Sequence, residues 1–172
     1  MSLRADTFDL GGLYLSAGEG RRLDLNVAIE PFSLGGERYP VEPELVPARL
    51  DISRMTGHGY ALRLRFEASL AGPCMRCLER AHPTFAVDAR EVSQPGEAEE
   101  LASPYVEREA VDLHAWARDA LALALPSTLL CQPDCAGLCA VCGENLNRAG
   151  PDHAHEREPD RRWAKLSELR FD

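Results

Sequence analysis

Residues 62–70, LRLRFEASL, alternate between apolar and polar side chains, and this alternation is the clearest indication of the fold. Successive side chains of a β-strand point to opposite faces of a sheet, so this period is typical of a strand that is buried on one side. The predicted buried face consists of Leu62, Leu64, Phe66, Ala68 and Leu70. The opposite face carries Arg63, Arg65 and Glu67, which we expect to meet solvent.

Three further stretches show the same alternation, at residues 23–29, 46–52 and 85–89. Glycine and proline residues, which favour turns, lie between them. Short strands with short connections predict an antiparallel sheet or a partial β-barrel. The segment PCMRCLERAHP, residues 73–83, then forms the tip of a hairpin, and its two thiols project from that end of the sheet.

The period becomes helical between Asp112 and Leu125, where apolar residues recur on one face. Asp112 is suited to cap the start of this helix, and Pro126 to end it. We expect the helix to pack on the open face of the sheet, because both surfaces need burial. A second, short helix is predicted to begin at Pro159 or Asp160.

These elements predict an α+β protein with one packed helix and a zinc-binding C-terminal segment. We expect a β-rich domain over residues 1–92 and an acidic linker or loop over residues 93–110. Residues 111–172 then hold the helix, a cysteine-rich zinc segment and the tail helix.

The composition of the 172 residues is that of a soluble globular protein, with 45% hydrophobic and 27% charged residues. We find no signal peptide and no apolar run long enough to span a membrane, which predicts a cytoplasmic protein with reduced thiols. A net charge of −9 argues against an extended surface for nucleic acid. Motifs of hydrolases, P-loop proteins and dinucleotide-binding enzymes are absent from the sequence, so we predict that the protein is not an enzyme.

Four of the six cysteines lie within the segment CQPDCAGLCAVC, residues 131–142. Thiolates at such short spacings are ligands that Zn²⁺ prefers, and a structural zinc ion takes four of them in a tetrahedron. We therefore predict a structural Zn²⁺ site. The favoured ligand set is Cys131, Cys135, Cys139 and Cys142.

Other ligand sets remain open at this stage. Two CxxC turns that meet across the fold would give the alternative set Cys74, Cys77, Cys139 and Cys142. A mixed set is a further option, with His153 or His155 as a substitute ligand. An iron–sulfur cluster and a thiol–disulfide redox couple at the first CxxC are weaker interpretations, because no barrel pattern and no helix after that CxxC support them.

Arginine side chains suggest a local contact with RNA phosphates. Arg63 and Arg65 lie on the outward face of the longest strand, and Arg76 and Arg80 lie at the hairpin tip. The alternative interpretation is that these residues form ordinary ion pairs with neighbouring carboxylates.

Four segments in this order resemble the YceD family, the large ribosomal RNA subunit accumulation proteins. They are CMRCLER (74–80), VDLHAWARDALALALPSTLLC (111–131), CAGLCAVCGENLN (135–147) and PDRRWAKLSEL (159–169). The resemblance covers the chain from about Leu23 to Leu169 and is most specific in the C-terminal half. Cys74 and Cys77 match the first CxxC of the family, and the other four cysteines match its C-terminal cluster.

The resemblance implies a role in ribosome biogenesis, in the accumulation or maturation of 23S rRNA, with no catalytic residue. The expected partner is the large-subunit rRNA or an associated ribosomal or assembly protein, with no membrane and no small-molecule substrate. The alternatives are a thiol–disulfide redox protein that uses a CxxC pair and a zinc-stabilised protein-interaction module.

Overall fold

The structure is a computed structural model that describes residues 3–4, 6–94, 102–150 and 152–155. Within these ranges the strands are β1 (Leu3–Arg4), β2 (Thr7–Asp9), β3 (Gly20–Ala28), β4 (Phe32–Leu34), β5 (Glu37–Tyr39), β6 (Val41–Glu42), β7 (Leu45–Arg54), β8 (Tyr60–Leu70), β9 (Gly72–Pro73), β10 (Arg80–Ala81), β11 (Thr84–Ser93), β12 (Val106–Glu107) and β13 (Ala110–Asp112). The α-helices are α1 (Leu113–Ala124) and α2 (Leu146–Ala149), and short 3₁₀ turns span Gly11–Leu13 and Thr56–His58.

The main sheet has the strand order β1-β3-β7-β8-β11, with the short β6 also paired to β8. Its neighbours are antiparallel except for the parallel pair β1–β3. Strands β1 and β11 are its two edges, so the described strands form an open sheet and not a closed barrel. The predicted antiparallel sheet is confirmed, and the four alternating stretches correspond to β3, β7, β8 and β11.

Strand β8 has one buried face and one more exposed face, as predicted. Leu62, Leu64 and Phe66 are buried, whereas the intervening residues are at least partly exposed. The long hairpin of β8 with β11 runs in register from Ser69↔Thr84 to Tyr60↔Ser93. The loop end of this hairpin, between residues 70 and 84, carries the first CxxC segment.

Helix α1 packs on the sheet as predicted. The Asp112 side chain accepts a hydrogen bond from the Ala115 N–H at 2.9 Å and so caps the helix N-terminus. The buried face of the helix consists of Leu113, Trp116, Ala117, Ala120 and Leu121. These side chains join the strand residues in one hydrophobic core that also includes Leu129, just beyond the helix.

A second, smaller cluster of buried residues lies at the tip of the β8–β11 hairpin. It contains Cys74, Cys77, Ala81 and Cys135. The predicted linker falls partly, and the predicted tail helix entirely, outside the described residues. None of the described helices is both long enough and apolar enough to cross a membrane.

Candidate metal centres

The tip of the β8–β11 hairpin is a tight turn that carries Cys74 and Cys77. The Cys74 N–H donates to the Glu79 carbonyl at 2.7 Å, and the Cys74 carbonyl accepts from the Leu78 N–H at 2.9 Å. Leu78 has a φ of 62°, in the left-handed region that favours glycine. This backbone turn brings the two thiols to the same side of the hairpin tip.

Residues 139–144 repeat the same turn. The Cys139 N–H donates to the Glu144 carbonyl at 2.8 Å, and the Cys139 carbonyl accepts from the Gly143 N–H at 2.8 Å. Gly143 has a φ of 77° and occupies the position that Leu78 holds in the first turn. We call these two turns the first and the second knuckle.

Four thiols converge at the first knuckle to form what we call the buried cluster. Its members are Cys74, Cys77, Cys131 and Cys135, whose sulfurs all lie within 4.8 Å of one another. The Sγ atoms of Cys74 and Cys135 are 3.7 Å apart, and those of Cys77 and Cys131 are 3.6 Å apart. These distances are far above the about 2.05 Å of a disulfide bond, and all four thiols are free.

The chain after α1 is held against the hairpin tip by two hydrogen bonds. The Met75 N–H donates to the Leu129 carbonyl at 2.9 Å, and the Leu129 N–H approaches the Met75 Sδ at 3.3 Å. Leu129 is buried in the main core, so the path of the chain is fixed two residues before Cys131. This contact explains why thiols more than 50 residues apart in sequence meet at one point.

The buried cluster fits a tetrahedral zinc ion. Four sulfurs that each lie about 2.3 Å from a central Zn²⁺ would be about 3.8 Å from one another. The two measured sulfur–sulfur distances, 3.7 and 3.6 Å, match this edge length closely. Cys74, Cys77 and Cys135 are buried and Cys131 is partly buried, as in a closed site with no open coordination position.

The thiols of the buried cluster differ in acidity. Burial raises the pKa of Cys74, but backbone hydrogen bonds from Arg76, Cys77 and Cys131 outweigh it and lower the pKa to about 6. Burial, together with the neighbouring thiols, raises the pKa of Cys131 to about 12. One thiolate thus suppresses ionisation of its neighbours, and a cation at the centre would be needed for all four to ionise together.

Further contacts position Cys135. The Asn147 Nδ2 donates to the Cys135 Sγ at 3.4 Å, and the Asn147 Oδ1 accepts from the Ala136 N–H at 2.8 Å. A guanidinium N–H of Arg76 donates to the Cys135 carbonyl at 3.0 Å. Gly137 has a φ of 80°, and a Cβ there would lie only 3.3 Å from the Arg76 carbonyl oxygen. Residues 135–137 therefore lie close against the first knuckle.

A second group of metal-ligand side chains lies at the second knuckle, and we call it the exposed cluster. It contains Cys139, Cys142, His153 and His155, whose ligand atoms also lie within 4.8 Å of one another. Backbone N–H groups of Cys142 and Val141, with the His153 side chain, lower the pKa of Cys139 to about 6. Cys142 is exposed and Cys139 is partly buried.

The structure groups the six thiols differently from either predicted ligand set. Cys131 and Cys135 lie with the first CxxC pair, whereas Cys139 and Cys142 lie with two histidines. Both predicted sets are therefore divided between the two clusters. The reason is that buried Leu129, bonded to Met75, brings residues 131 and 135 to the hairpin tip, whereas residues 139–144 form a turn of their own. Sequence analysis also missed Asn147, since it belongs to no ligand motif.

The four arginines proposed to contact RNA occupy two different settings. Arg63 is paired with Asp88 at 2.5 Å, and Arg65 with Asp51 at 2.5 Å, on the outward face of the sheet. Arg76 is exposed at the hairpin tip. Arg80 is also exposed, at the start of the strand that leads away from the first knuckle.

The family comparison covers the part of the chain that holds both clusters. The model of the family "Large ribosomal RNA subunit accumulation protein YceD" matches residues 62–170. The chain belongs to the YceD family. The region matched in this YceD-family protein begins within β8 and includes all six cysteines.

The YceD-family chain is also similar to mycobacterial proteins that are named as uncharacterised. Relatives from Mycobacterium tuberculosis and Mycobacterium bovis are 39% identical over 108 residues, which are 59% of this chain and 51% of each relative. A relative from Mycobacterium leprae is 35% identical over 108 residues, 59% of this chain and 49% of its own length. The aligned part thus spans about half the length of these relatives, and no solved structure matches the chain.

Proposed function

We propose that this protein is a non-enzymatic ribosome biogenesis factor that supports the accumulation or maturation of large-subunit (23S) rRNA. The observation that carries the proposal is the family match over residues 62–170, the region that contains the ligands of both clusters. The name of the family supplies the link to large-subunit rRNA. A cytoplasmic location would suit both this role and six reduced thiols.

We further propose that the buried cluster holds a structural Zn²⁺ through Cys74, Cys77, Cys131 and Cys135. The sulfur–sulfur distances and the burial of the thiols support this assignment. A bound zinc would act as a cross-link, since no open position remains for a substrate. It would join the hairpin tip to the chain after α1 and so stabilise the surface on which partners are bound.

The partner would be the large-subunit rRNA itself or a ribosomal or assembly protein bound to it. A net charge of −9 favours a local contact over an extended one, because counterion release requires many basic groups. Arg76 and Arg80, exposed beside the first knuckle, are our first candidates for phosphate contacts. Arg63 and Arg65 would have to exchange their aspartate partners for phosphate oxygens.

Deletion of the gene in the source organism tests the ribosomal role. We expect the ratio of large-subunit to small-subunit rRNA to fall, and to recover when the wild-type chain is supplied. A normal ratio, together with pulldowns that contain neither rRNA nor large-subunit proteins, would refute the proposal.

Crosslinking in cells, with identification of both the RNA and the protein that become attached, separates the two kinds of partner. We expect the variant Arg80→Glu to lose RNA crosslinks if the hairpin tip contacts phosphate; Arg76 is left intact because its guanidinium holds the Cys135 carbonyl. The matched variant Arg38→Glu changes charge equally at an exposed position on another strand. If both variants crosslink like the wild type, Arg80 does not bind RNA.

A thiol–disulfide redox protein is the alternative, and the low pKa of Cys74 is the observation that favours it. Against it, Cys74 is fully buried, whereas an attacking thiol needs access to its substrate. Reduction of insulin in the presence of dithiothreitol distinguishes the two functions. Activity that disappears in Cys77→Ser would support the redox function; no activity above background would exclude it.

A further inference from the structure

We propose that Cys139, Cys142, His153 and His155 form a second Zn²⁺ site, separate from the buried cluster. The proposal does not depend on the ribosomal role. The four ligand atoms, two sulfurs and two ring nitrogens, converge within 4.8 Å of one another on the protein surface. Two thiolates with two imidazoles form a donor set typical of tetrahedral structural zinc.

One of the two observed distances matches an edge of such a tetrahedron closely, and the other is shorter by about 0.3 Å. With bonds of about 2.3 Å to sulfur and about 2.05 Å to nitrogen, a sulfur–nitrogen edge is about 3.6 Å and a nitrogen–nitrogen edge about 3.3 Å. The Cys142 Sγ lies 3.5 Å from the His153 Nε2, and the two Nε2 atoms of His153 and His155 lie 3.0 Å apart. A hydrogen bond between His153 and His155 would explain the nitrogen–nitrogen distance. It would not explain why the Cys139 and Cys142 sulfurs lie within 4.8 Å of the same two nitrogens.

The backbone of the second knuckle is already arranged for a metal. The Val141 N–H lies 3.4 Å from the Cys139 Sγ, where it stabilises a thiolate. A Cβ built on Gly143 would meet nothing within 4 Å, so close packing does not require glycine there, and its positive φ belongs to the hydrogen-bonded turn. The first knuckle, which lies in a cluster of four thiols, has the same hydrogen-bond pattern.

A carboxylate supports one of the histidines from outside the ligand shell. The His153 Nδ1 lies 3.4 Å from the Glu144 Oε2, on the opposite side of the ring from the thiols. Metal-bound histidines usually donate their second ring N–H to such a group, which fixes the tautomer that presents Nε2 to the ion. The His153 side chain is only 15% exposed, although it lies beyond the sheet and α1.

The two clusters share no ligand, so each can bind an ion of its own. We therefore expect two zinc ions per chain. The buried cluster supplies four sulfurs and the exposed cluster two sulfurs and two nitrogens, so the average zinc environment would be three sulfurs and one nitrogen.

The test compares the full-length wild-type chain with the double variant His153→Asn/His155→Asn. Both are titrated with Zn²⁺ against a chromophoric chelator, which counts weak as well as tight sites. X-ray absorption at the zinc edge then reports the average ligand set. The control is His82→Asn, which removes a histidine that pairs with Glu42 at 2.9 Å outside both clusters.

We expect two equivalents and an average of three sulfurs and one nitrogen in the wild type and in the control. The double variant should bind one equivalent with four sulfurs and keep the wild-type circular dichroism spectrum. A single equivalent with four sulfurs in the wild type would overturn the proposal. Two equivalents in the double variant, or loss of both ions together, would overturn it as well. None of these outcomes bears on the rRNA phenotype, so failure here is distinguishable from failure of the proposed function.

Discussion

The first and second knuckles have the same backbone turn but different surroundings. In each, the first cysteine donates its N–H to a carbonyl five residues on and accepts from the N–H four residues on. In the first knuckle, Cys74 and Cys77 are buried and face thiols from beyond α1. In the second, Cys142 is exposed and the remaining ligands come from a stretch only about a dozen residues away.

A CxxC turn is therefore a local unit whose structural role depends on the residues packed against it. The first knuckle connects segments that are 54 and 61 residues apart in sequence, so a metal there would stabilise the tertiary fold. The second knuckle connects residues within one segment, so a metal there would order only that segment.

The largest effect is expected when the second cysteine of the first knuckle is replaced by serine, and the second cysteine of the second knuckle provides the matched comparison. Cys77→Ser should lower the free energy of unfolding by about 3–5 kcal/mol, because a buried ligand and its metal are lost. Cys142→Ser makes the same chemical change in the exposed cluster and should cost less than about 1 kcal/mol in global stability. Urea denaturation of both variants provides the measurement. Equal losses would contradict the contrast between the clusters.

A smaller effect is expected at Asn147, the side chain that donates to the Cys135 Sγ at 3.4 Å. Outer contacts of this kind typically change metal affinity by about 10–100-fold, so Asn147→Ala should weaken zinc binding at the buried cluster by that factor. Competition with a chelator of known affinity measures the change.

The matched variant Asn147→Asp identifies which contact of Asn147 matters. An aspartate still accepts from the Ala136 N–H, which the wild-type side chain does at 2.8 Å, but it has no N–H to donate to sulfur. Weaker zinc binding in both variants would assign the effect to the Nδ2 donor of Asn147, which contacts the Cys135 Sγ at 3.4 Å and the Asn145 Oδ1 at 2.8 Å. Weaker binding in Asn147→Ala alone would assign it to the segment at Ala136.

In the second knuckle, Gly143→Ala tests the positive φ of 77°. Space for the methyl group is open, so the cost is backbone strain of about 1–2 kcal/mol. Because the second knuckle is local, we expect faster hydrogen exchange in residues 138–150 and an unchanged midpoint of global unfolding. A shift of the global midpoint would show that the two knuckles are energetically coupled.

The smallest effect is expected from Leu78→Gly in the first knuckle. Glycine relieves the strain of a leucine at φ 62°, and a side chain that is 68% exposed contributes little buried surface. The greater freedom of glycine in the unfolded chain offsets this gain, so the net change should stay within about 1 kcal/mol. A much larger loss of thermal stability would mean that Leu78 has a packing role that its exposure does not reveal.

The sheet and helix could be predicted from the sequence because their signals are periodic and local. Alternation identifies β8, and Asp112 with Pro126 delimits α1 to within one or two residues. The two CxxC turns could be recognised for the same reason. The exposed cluster was harder to predict from the sequence, because His153 and His155 follow a polar stretch with neither a helical nor a strand-like hydrophobic period.

The partners of each knuckle could not be predicted from spacing. Proximity in sequence favours grouping Cys131 and Cys135 with the next two cysteines, since short loops close at little entropic cost. The structure instead brings them to the first knuckle, because Leu129 is buried in the core and bonded to Met75. That contact depends on the length of α1 and on the register of the hairpin beneath it, which emerge only from the assembled fold.

Cys77 and Cys131 are 54 residues apart in sequence, so a metal bound to both would close a large ring of polypeptide. This ring contains β11 and α1. In the chain-entropy account of cross-links, closing a ring of that size lowers the conformational entropy of the unfolded chain and so stabilises the fold by about 4 kcal/mol. A protease that cut the ring once would leave two fragments joined both by the metal and by the packing of α1 on the sheet. Unlike a disulfide link between fragments, the metal link would be removed by a chelator and not by a reductant.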